Sequence, residues 1–569
     1  MALIDKASLL MVPSTYEDGT LYNVLPSGNK APDETGNHNG YDQTRADFTF
    51  SRGSNLAATR INSDGLIEKG RENLLLQSNQ FDTTWVLQSG AGASVTSGQN
   101  GYDGTNNAWE LDITYNGGDG YLRQEKSISG VNTFSIYAKK NSADGIYIEF
   151  AAGNYPNIKV DLTDGSLIST NGTIDTNIES VGNGWYRISF SVNQSLARVN
   201  IRIVNGSGTN TTGTIYIQNA QLEKGLVATD YIETGSTTAQ AGILEDMPRI
   251  NYDANGENGA LLLEPSRTNL VTYSEYFEHS LWDSGATTAE ISKSPNLSPE
   301  GVANCYYVEN VSGGQLGFYT TITSGASYTG SFWVRKVSGS GVVRMINVNN
   351  SGTDFNVGTE WTRVSVTATS TSTTGRCYVQ AKNTGDIIEV YGAQLEAGSY
   401  ASSYVPTYGS AVTRSADDCS VTGVSDVIGQ SEGTLFIDAV IADEVDTEGY
   451  YFRIDETSYS NTILFGRSAS GNVFAILRVG GSTVSQMAEN DIPDRVKLAF
   501  AYKSGDSVLY MNGSEADTDS ATFTITADLN DFRLGSYSSS LAHMSGDVKQ
   551  AAIFKERLSD SELATLTTL

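Results

Sequence analysis

The chain has 569 residues, with 65 acidic against 36 basic side chains and a formal net charge of −29. A field this negative opposes the phosphate neutralisation from which nucleic-acid binders draw most of their affinity, and it excludes that class of partner. Charged residues make up only 18% of the chain while glycine reaches 58, a turn-rich composition, and at ~150 residues per domain the length implies roughly three to four domains.

In chain order, the opening MALIDKASLLMVPS has too short an apolar run for a signal peptide. No later stretch approaches the ~20 apolar residues of a membrane helix. The expectation is a soluble product made without a classical export signal, and no membrane insertion. Residues 1–70 are polar, with turn signals at Pro26 and Gly36–Gly40 and a strand-like DFTFSR at Asp47–Arg52. Alone they could bury little, so this region should lean on a partner or on its own oligomer.

An internal duplication follows. AQLEKG at Ala220–Gly225 answers AQLEAG at Ala393–Gly398 with an offset of 173. Upstream, GWYRISFSV (Gly184–Val192) answers EWTRVSVTA (Glu360–Ala368), and FSIYAK from Phe134 answers GSFWVRK from Gly330. Both copies open alike, on NLLLQSNQFDTTW ending at Trp85 and NLVTYSEYFEHSLW ending at Trp282. The modules span 71–233 and 269–406, with a linker hairpin at 234–268, a linker at 407–431 and a further unit at 432–569.

Apolar residues recur every second position, as in Phe134, Ile136, Ala138 and in Tyr186, Ile188, Phe190, Val192. This predicts strands buried on one face, and the Asn-Gly and Asp-Gly signals between them predict antiparallel sandwiches. The C-terminal unit repeats the class, with a tight hairpin at Asn512-Gly513. Ser559-Asp560-Ser561-Glu562 is a capping box that predicts one short closing helix over Leu563 and Leu566. The fold class is therefore all-β.

By strand parity, Tyr137, Lys139, Trp185, Arg187, Tyr216 and Gln218 share the outward face of the first module. Trp333, Arg335, Trp361, Arg363, Glu389 and Tyr391 do so in the second. Such faces suit carbohydrate, because rings stack on the apolar face of a pyranose while Arg, Gln and Glu hydrogen-bond its hydroxyls. The plainer expectation is that Trp185 and Trp361 pack beneath loops with an arginine on the ring. Trp85 and Trp282 follow apolar openings and read as core.

Catalytic signals are weak. The three histidines, His38, His279 and His543, and the three cysteines, Cys305, Cys377 and Cys419, are scattered, which argues against triads, zinc sites and disulfide frameworks. Glu223 and Glu396 of the AQLE motifs each lack the second carboxylate of a glycoside hydrolase, and a salt bridge or a calcium clip suits them better. WELDITY places Tyr115 where a glucanase strand needs glutamate, and reads as a strand burying Trp109, Leu111 and Ile113. Asn251, Asp253, Asn255 and Gly256 imitate an EF-hand start, but Leu262 replaces the bidentate glutamate, so a hairpin turn is expected. No enzyme activity and no cofactor are expected, with a structural calcium ion left open.

The runs DFTFSRGSNLAATRINSDGLIE (Asp47–Glu68), MPRINYDANGENGALLLEPSRTNLVTYSEYF (Met247–Phe277) and the AQLExG block followed by SSYVPT (Ser402–Thr407) together resemble a layout found in tailed-bacteriophage head fibres and tail or receptor-binding proteins. The C-terminal run from EGTLFIDAV to GDVKQAAIFKERLSDSELATL resembles a concanavalin A-like or laminin G-like sandwich. The resemblance implies two jelly-roll modules similar to carbohydrate-binding modules and a small N-terminal virion-attachment region. It further implies a homotrimer on the virion surface, partnered by capsid or tail proteins and by host glycans. A polysaccharide depolymerase and a pure scaffold are the competing functions. In the family the first run leads directly into the second, whereas here a whole module lies between them.

Overall fold

The computed structural model describes residues 3–13, 23–24, 48–53, 56–89, 92–115, 120–253, 255–283, 289–441, 448–456, 459–490, 493–539 and 541–569. The turn readings at Pro26 and Gly36–Gly40 lie outside the described residues. The fold is all-β, with antiparallel pairing throughout its sheets and a short helix at Asp560–Thr567.

The first module is a two-sheet sandwich. One sheet runs in the order Leu167–Asn171, Asn157–Asp161, Gly145–Phe150, Leu196–Val204, Gly120–Ile128, Val86–Ser89. The other runs Asp175–Gly182, Trp185–Asn193, Val131–Lys140, Gly213–Lys224, Ala108–Ile113, Ala93–Gln99. The period-two residues of both sheets meet in one core of Phe134, Ile136, Ile188 and Phe190 against Ile146, Ile148 and Ile201. Trp109, Leu111 and Ile113 join it, as the strand reading of WELDITY requires.

The second module repeats this plan. Trp282–Asp283, Leu316–Thr321, Thr374–Ala381, Val342–Ile346 and Gly352–Asn356 face Ala289–Lys293, Tyr306–Asn310, Ile387–Ala397, Ser327–Ser338 and Thr362–Thr369. Trp85 and Trp282 are core residues at equivalent places, and each indole N–H donates to a backbone carbonyl, of Gln77 and of Tyr273. Burying such a ring stabilises a module by ~2–3 kcal/mol, provided its N–H keeps a partner.

The third sandwich differs from the sequence expectation. Its first sheet is built on Gly546–Phe554, Glu432–Ile441, Arg495–Lys503, Ser507–Met511 and Ser514–Asp519, but the free edge of Gly546–Phe554 is filled by distant segments. Leu9–Met11 pairs with Ala551–Ile553, and Ala260–Leu263 pairs with Gly546–Val548. In the opposite sheet Thr49–Ser51 pairs with Asp418–Thr422, beside Asp531–Leu534. The segment expected to be a separate attachment region, and the two expected linkers, thus supply strands to the C-terminal unit. The physical reason lies in their apolar residues: Leu9, Met11, Phe50, Leu261 and Leu263 have no core of their own and are buried in this one. The helix seals the same unit. Glu562 accepts from the Ser559 amide at 2.9 Å, and Lys6 reaches Glu562 at 2.6 Å, tying the two ends of the described chain together.

Both modules are therefore insertions in this third sandwich. Each has a neck in which the entering and leaving strands pair, Arg71–Asn73 with Ala239–Ala241 and Arg267–Asn269 with Val412–Arg414. Ile61 and Tyr252, which flank the first insertion, meet again through the Tyr252 amide and the Ile61 carbonyl at 3.0 Å. That contact accounts for the module found between two runs expected to be continuous. The crossing points share a sealed charge cluster, in which Arg52, Arg249 and Arg414 surround Glu264 and Asp417. Burial alone would raise the Glu264 carboxyl; Arg414 and Arg249 outweigh it and hold the group well below the usual carboxylate range.

Candidate functional site

The twelve residues singled out by parity lie outside their sandwich cores, but loops close over Tyr137, Trp185, Gln218, Glu389 and Tyr391, which are buried. In the first module the 99–107 loop lays Tyr102 flat on Tyr137, with ring centroids 3.7 Å apart. Gln218 is fully buried, donating to Asp103 and Asn107 and accepting from the Tyr102 amide. Trp185 is 1% exposed and packs with Tyr102, Tyr137 and Tyr216. Burial, then the Tyr102 hydroxyl, pushes the Tyr137 phenol up to about 12. Lys139 pairs in register with Trp185 and Tyr216, and Arg187 stacks over Tyr137 and donates to the Thr229 carbonyl.

In the second module the cover is the 294–304 segment. Trp361 donates to the Leu297 carbonyl and carries Arg335 at 4.6 Å over its ring, while Arg335 also pairs with the buried Glu389. Glu389 accepts further from Ser294 and Asn296. Arg363 donates to the Ser402 carbonyl and to Ser331. Trp333 packs beside Tyr391, which is fully buried and donates to Glu300 within a cluster that also holds Lys69 and Glu275. Parity gave the direction of these side chains correctly. It could not show that a loop returns over them, so neither Trp185 nor Tyr391 offers a ring face to a ligand.

The AQLE glutamates are clips. Glu396 accepts from Gln394, from the Ser402 amide and from the Ser402 hydroxyl, at 2.6–2.9 Å. Glu223 does the same with Gln221 and Thr229, offset by 173 at every partner. Arg267 and Arg71 stand 3.7 and 3.9 Å from the two carboxylates. Among the described residues no three His, Cys, Asp or Glu side chains gather where they could hold a metal ion.

The accessible chemistry lies on the opposite sheet of the first module. Its outward residues fall in straight rows, because the pairing stays in register across the central strands. Arg202 lies over the Tyr121 ring, Arg202 faces Tyr147, and Tyr147 faces Lys159. One row over, Arg123, Asn200, Glu149 and Asn157 line up likewise, and Arg198 faces Glu125 in the next. The Arg202 guanidinium sits 4.4 Å from the Tyr121 ring centroid, and Lys159 Nζ sits 4.8 Å from that of Tyr147. Glu149 accepts from Tyr147 at 2.5 Å, from Arg202 at 2.8 Å and from Asn200 at 2.9 Å. Burial would raise its carboxyl, but these donors prevail and hold it below the ordinary value.

Tyr147, Lys159, Arg123, Arg198 and Arg202 are each half-buried. The corresponding sheet of the second module carries a smaller version: Tyr319, 44% exposed, lies T-shaped against Tyr378, with Arg376 over it and Arg344 and Lys382 sharing Asp354. Sequence reasoning missed both faces because it followed the repeated blocks. The alternations Tyr147/Glu149 and Arg198/Asn200/Arg202 were the available signal.

Fold and surface together define a protein of two jelly-roll sandwiches inserted in a concanavalin A-like sandwich, with open polar-aromatic sheet faces on the modules. Residues 431–564 match the family model described as the concanavalin A-like lectin/glucanases superfamily. No curated protein sequence matches the chain. Among solved structures, the Ruminococcus gnavus IT-sialidase CBM40 bound to α2,3-sialyllactose is 15% identical, with a TM-score of 0.23, over 26% of this chain and 91% of that one. Domain 4 of the GH43 arabinanase AbnA from Geobacillus stearothermophilus, in complex with arabinotriose, is 16% identical with a TM-score of 0.22, over 27% and 73%. The CBM22-1–CBM22-2 tandem domain from Paenibacillus barcinonensis Xyn10C is 10% identical with a TM-score of 0.21, over 61% and 100%. At these values the likenesses fix no ligand for this chain.

Proposed function

We propose that this chain is a non-enzymatic adhesion protein on the surface of a tailed-bacteriophage particle, holding host-surface glycans on the open sheet of its first module. The observation that supports the glycan reading is the in-register row Tyr121, Arg202, Tyr147, Lys159, flanked by Asn200 and Glu149. A guanidinium and an ammonium held over rings, beside an amide and a carboxylate, suit the spaced hydroxyls of a sugar chain. The virion setting is supported by the sequence resemblance to phage fibres, with capsid or tail proteins as partners. The reading includes a homotrimer, which turns weak single-site affinity into avidity. The buried, fully occupied Glu223 and Glu396 support a role without hydrolysis.

The test is binding of the purified full chain to a panel of bacterial envelope polysaccharides. Wild type should bind without releasing reducing ends, and Tyr147→Ala with Lys159→Ala should lose binding by about tenfold or more while the chain still melts cooperatively with a wild-type circular-dichroism spectrum. Equal binding by wild type and variant would overturn the site. A strict monomer in mass photometry at micromolar concentration would overturn the trimer.

A further inference from the structure

The rings on this face are largely covered, and that determines what the face can offer. Tyr121 is only 6% exposed, beneath Arg202 and, at 6.0 Å, Arg198; Tyr147 lies under Lys159 and within 5.9 Å of Arg202. A ligand approaching the sheet therefore meets cationic groups held in fixed positions by tyrosines, with few bare aromatic surfaces. Across the three adjacent rows, Arg123, Arg198, Arg202 and Lys159 stand against Glu125 and Glu149 alone. Glu125 is shared between Arg123 and Arg198, at 3.4 and 3.9 Å, and Glu149 is already occupied by Arg202, Tyr147 and Asn200. Asp161, one row further, turns its carboxylate to the Thr163 amide. No carboxylate pairs with Lys159 among the described residues; it donates to the Gly208 carbonyl at 2.9 Å. Arg123 Nε, Arg198 Nε and Asn200 Oδ1 are buried polar atoms without a hydrogen-bond partner among the described residues.

We infer that the glycan taken by this face is acidic, a polysaccharide carrying carboxylates such as a uronate or a sialate polymer. This rests on the glycan reading above and narrows its ligand class. A surplus of two cations on a protein of net charge −29 is a local exception to the overall field. Its attraction is confined to about the ~8 Å Debye length at physiological salt, while the rest of the surface repels polyanions. That combination discriminates by charge density. A polymer with one charge per sugar or fewer can place its carboxylates on the guanidiniums, whereas duplex DNA, with a charge every ~1.7 Å, brings far more repulsion for the same contacts. A guanidinium already held over a tyrosine ring loses little freedom when a carboxylate binds it.

The test uses the full chain with polygalacturonate, alginate and polysialic acid, each beside its carboxyl-reduced neutral form, and with a single-stranded DNA oligomer. At least one acidic polymer should bind, at least about tenfold more tightly than its reduced form. Arg202→Ala should lose that preference, and Lys159→Gln, which breaks no ion pair and keeps a donor for the Gly208 carbonyl, should weaken it without unfolding. Equal binding of a reduced polymer would overturn the acidic class while leaving the glycan reading intact. So would absence of all acidic binding by a chain that still binds neutral envelope polysaccharide through the same residues. DNA binding as tight as that of the acidic glycan would overturn the inference in favour of unspecific polyanion capture. Loss of every polysaccharide interaction would overturn both readings.

Discussion

Arg202 lies over the ring of Tyr121 at 4.4 Å and at the same time donates to Glu149 at 2.8 Å, so one guanidinium joins a strand on each side of its own. Arg202→Ala should remove the stack and leave Glu149 buried with fewer donors, costing ~1–3 kcal/mol at neutral pH. Because the native partners hold the Glu149 carboxyl below its unfolded value, their stabilisation is present at neutral pH and lost as pH falls through the native value. The stability gap between variant and wild type, from urea unfolding, should therefore narrow in acid. A gap that widens there would refute the assigned role of Glu149.

Glu396 accepts from three donors in a buried site. Glu396→Gln keeps an acceptor oxygen for the Ser402 amide and an NH2 that can meet the Ser402 hydroxyl, so it should cost under ~1 kcal/mol. Glu396→Ala strands all three donors and should cost ~2–4 kcal/mol. Calorimetry on the two variants separates a clip from a dispensable carboxylate.

Removing residues 1–13 should lower the melting temperature of the C-terminal sandwich. Leu9 and Met11 are fully buried there and their strand satisfies one edge of Gly546–Phe554. Two buried side chains of this size represent ~3–6 kcal/mol. An unchanged calorimetric profile would show that the segment is independent of the sandwich.

Burial lifts the Asp547 carboxyl to about 6, with the Asn251 amide only partly compensating. The native state thus binds a proton there more tightly than the unfolded chain does, and that contribution to stability, full in acid, fades as pH rises through about 6. Asp547→Asn should be more stable than wild type at pH 8, by ~3 kcal/mol, with the advantage nearly gone by pH 4. Melting curves across that range are decisive, and a constant difference would exclude the titration.

Much of the architecture was legible from period-two spacing. The strands around Phe134 and Ile188, the Asn512-Gly513 hairpin, in which both residues adopt positive φ, and the helix capped by Ser559 all follow from local chemistry. What escaped is non-local. Nothing near Leu9, Phe50 or Leu261 announces that these segments complete a sheet begun hundreds of residues later, because a short apolar run records that it must be buried and not against what. The same limit hid the site. Trp185 and Tyr147 alternate equally well, and only the return of the 99–107 loop over one sheet decides which of them meets solvent.

The paired necks have a mechanical consequence. An inserted module is tethered by two strands running side by side, Arg71–Asn73 with Ala239–Ala241 in one case and Arg267–Asn269 with Val412–Arg414 in the other. A pull on the module is divided between both tethers and passes into the third sandwich at two places. A bead threaded on a single string would carry the whole load through one linker. Under the adhesion proposed above, a body fastened to a moving cell would gain from the doubled anchorage.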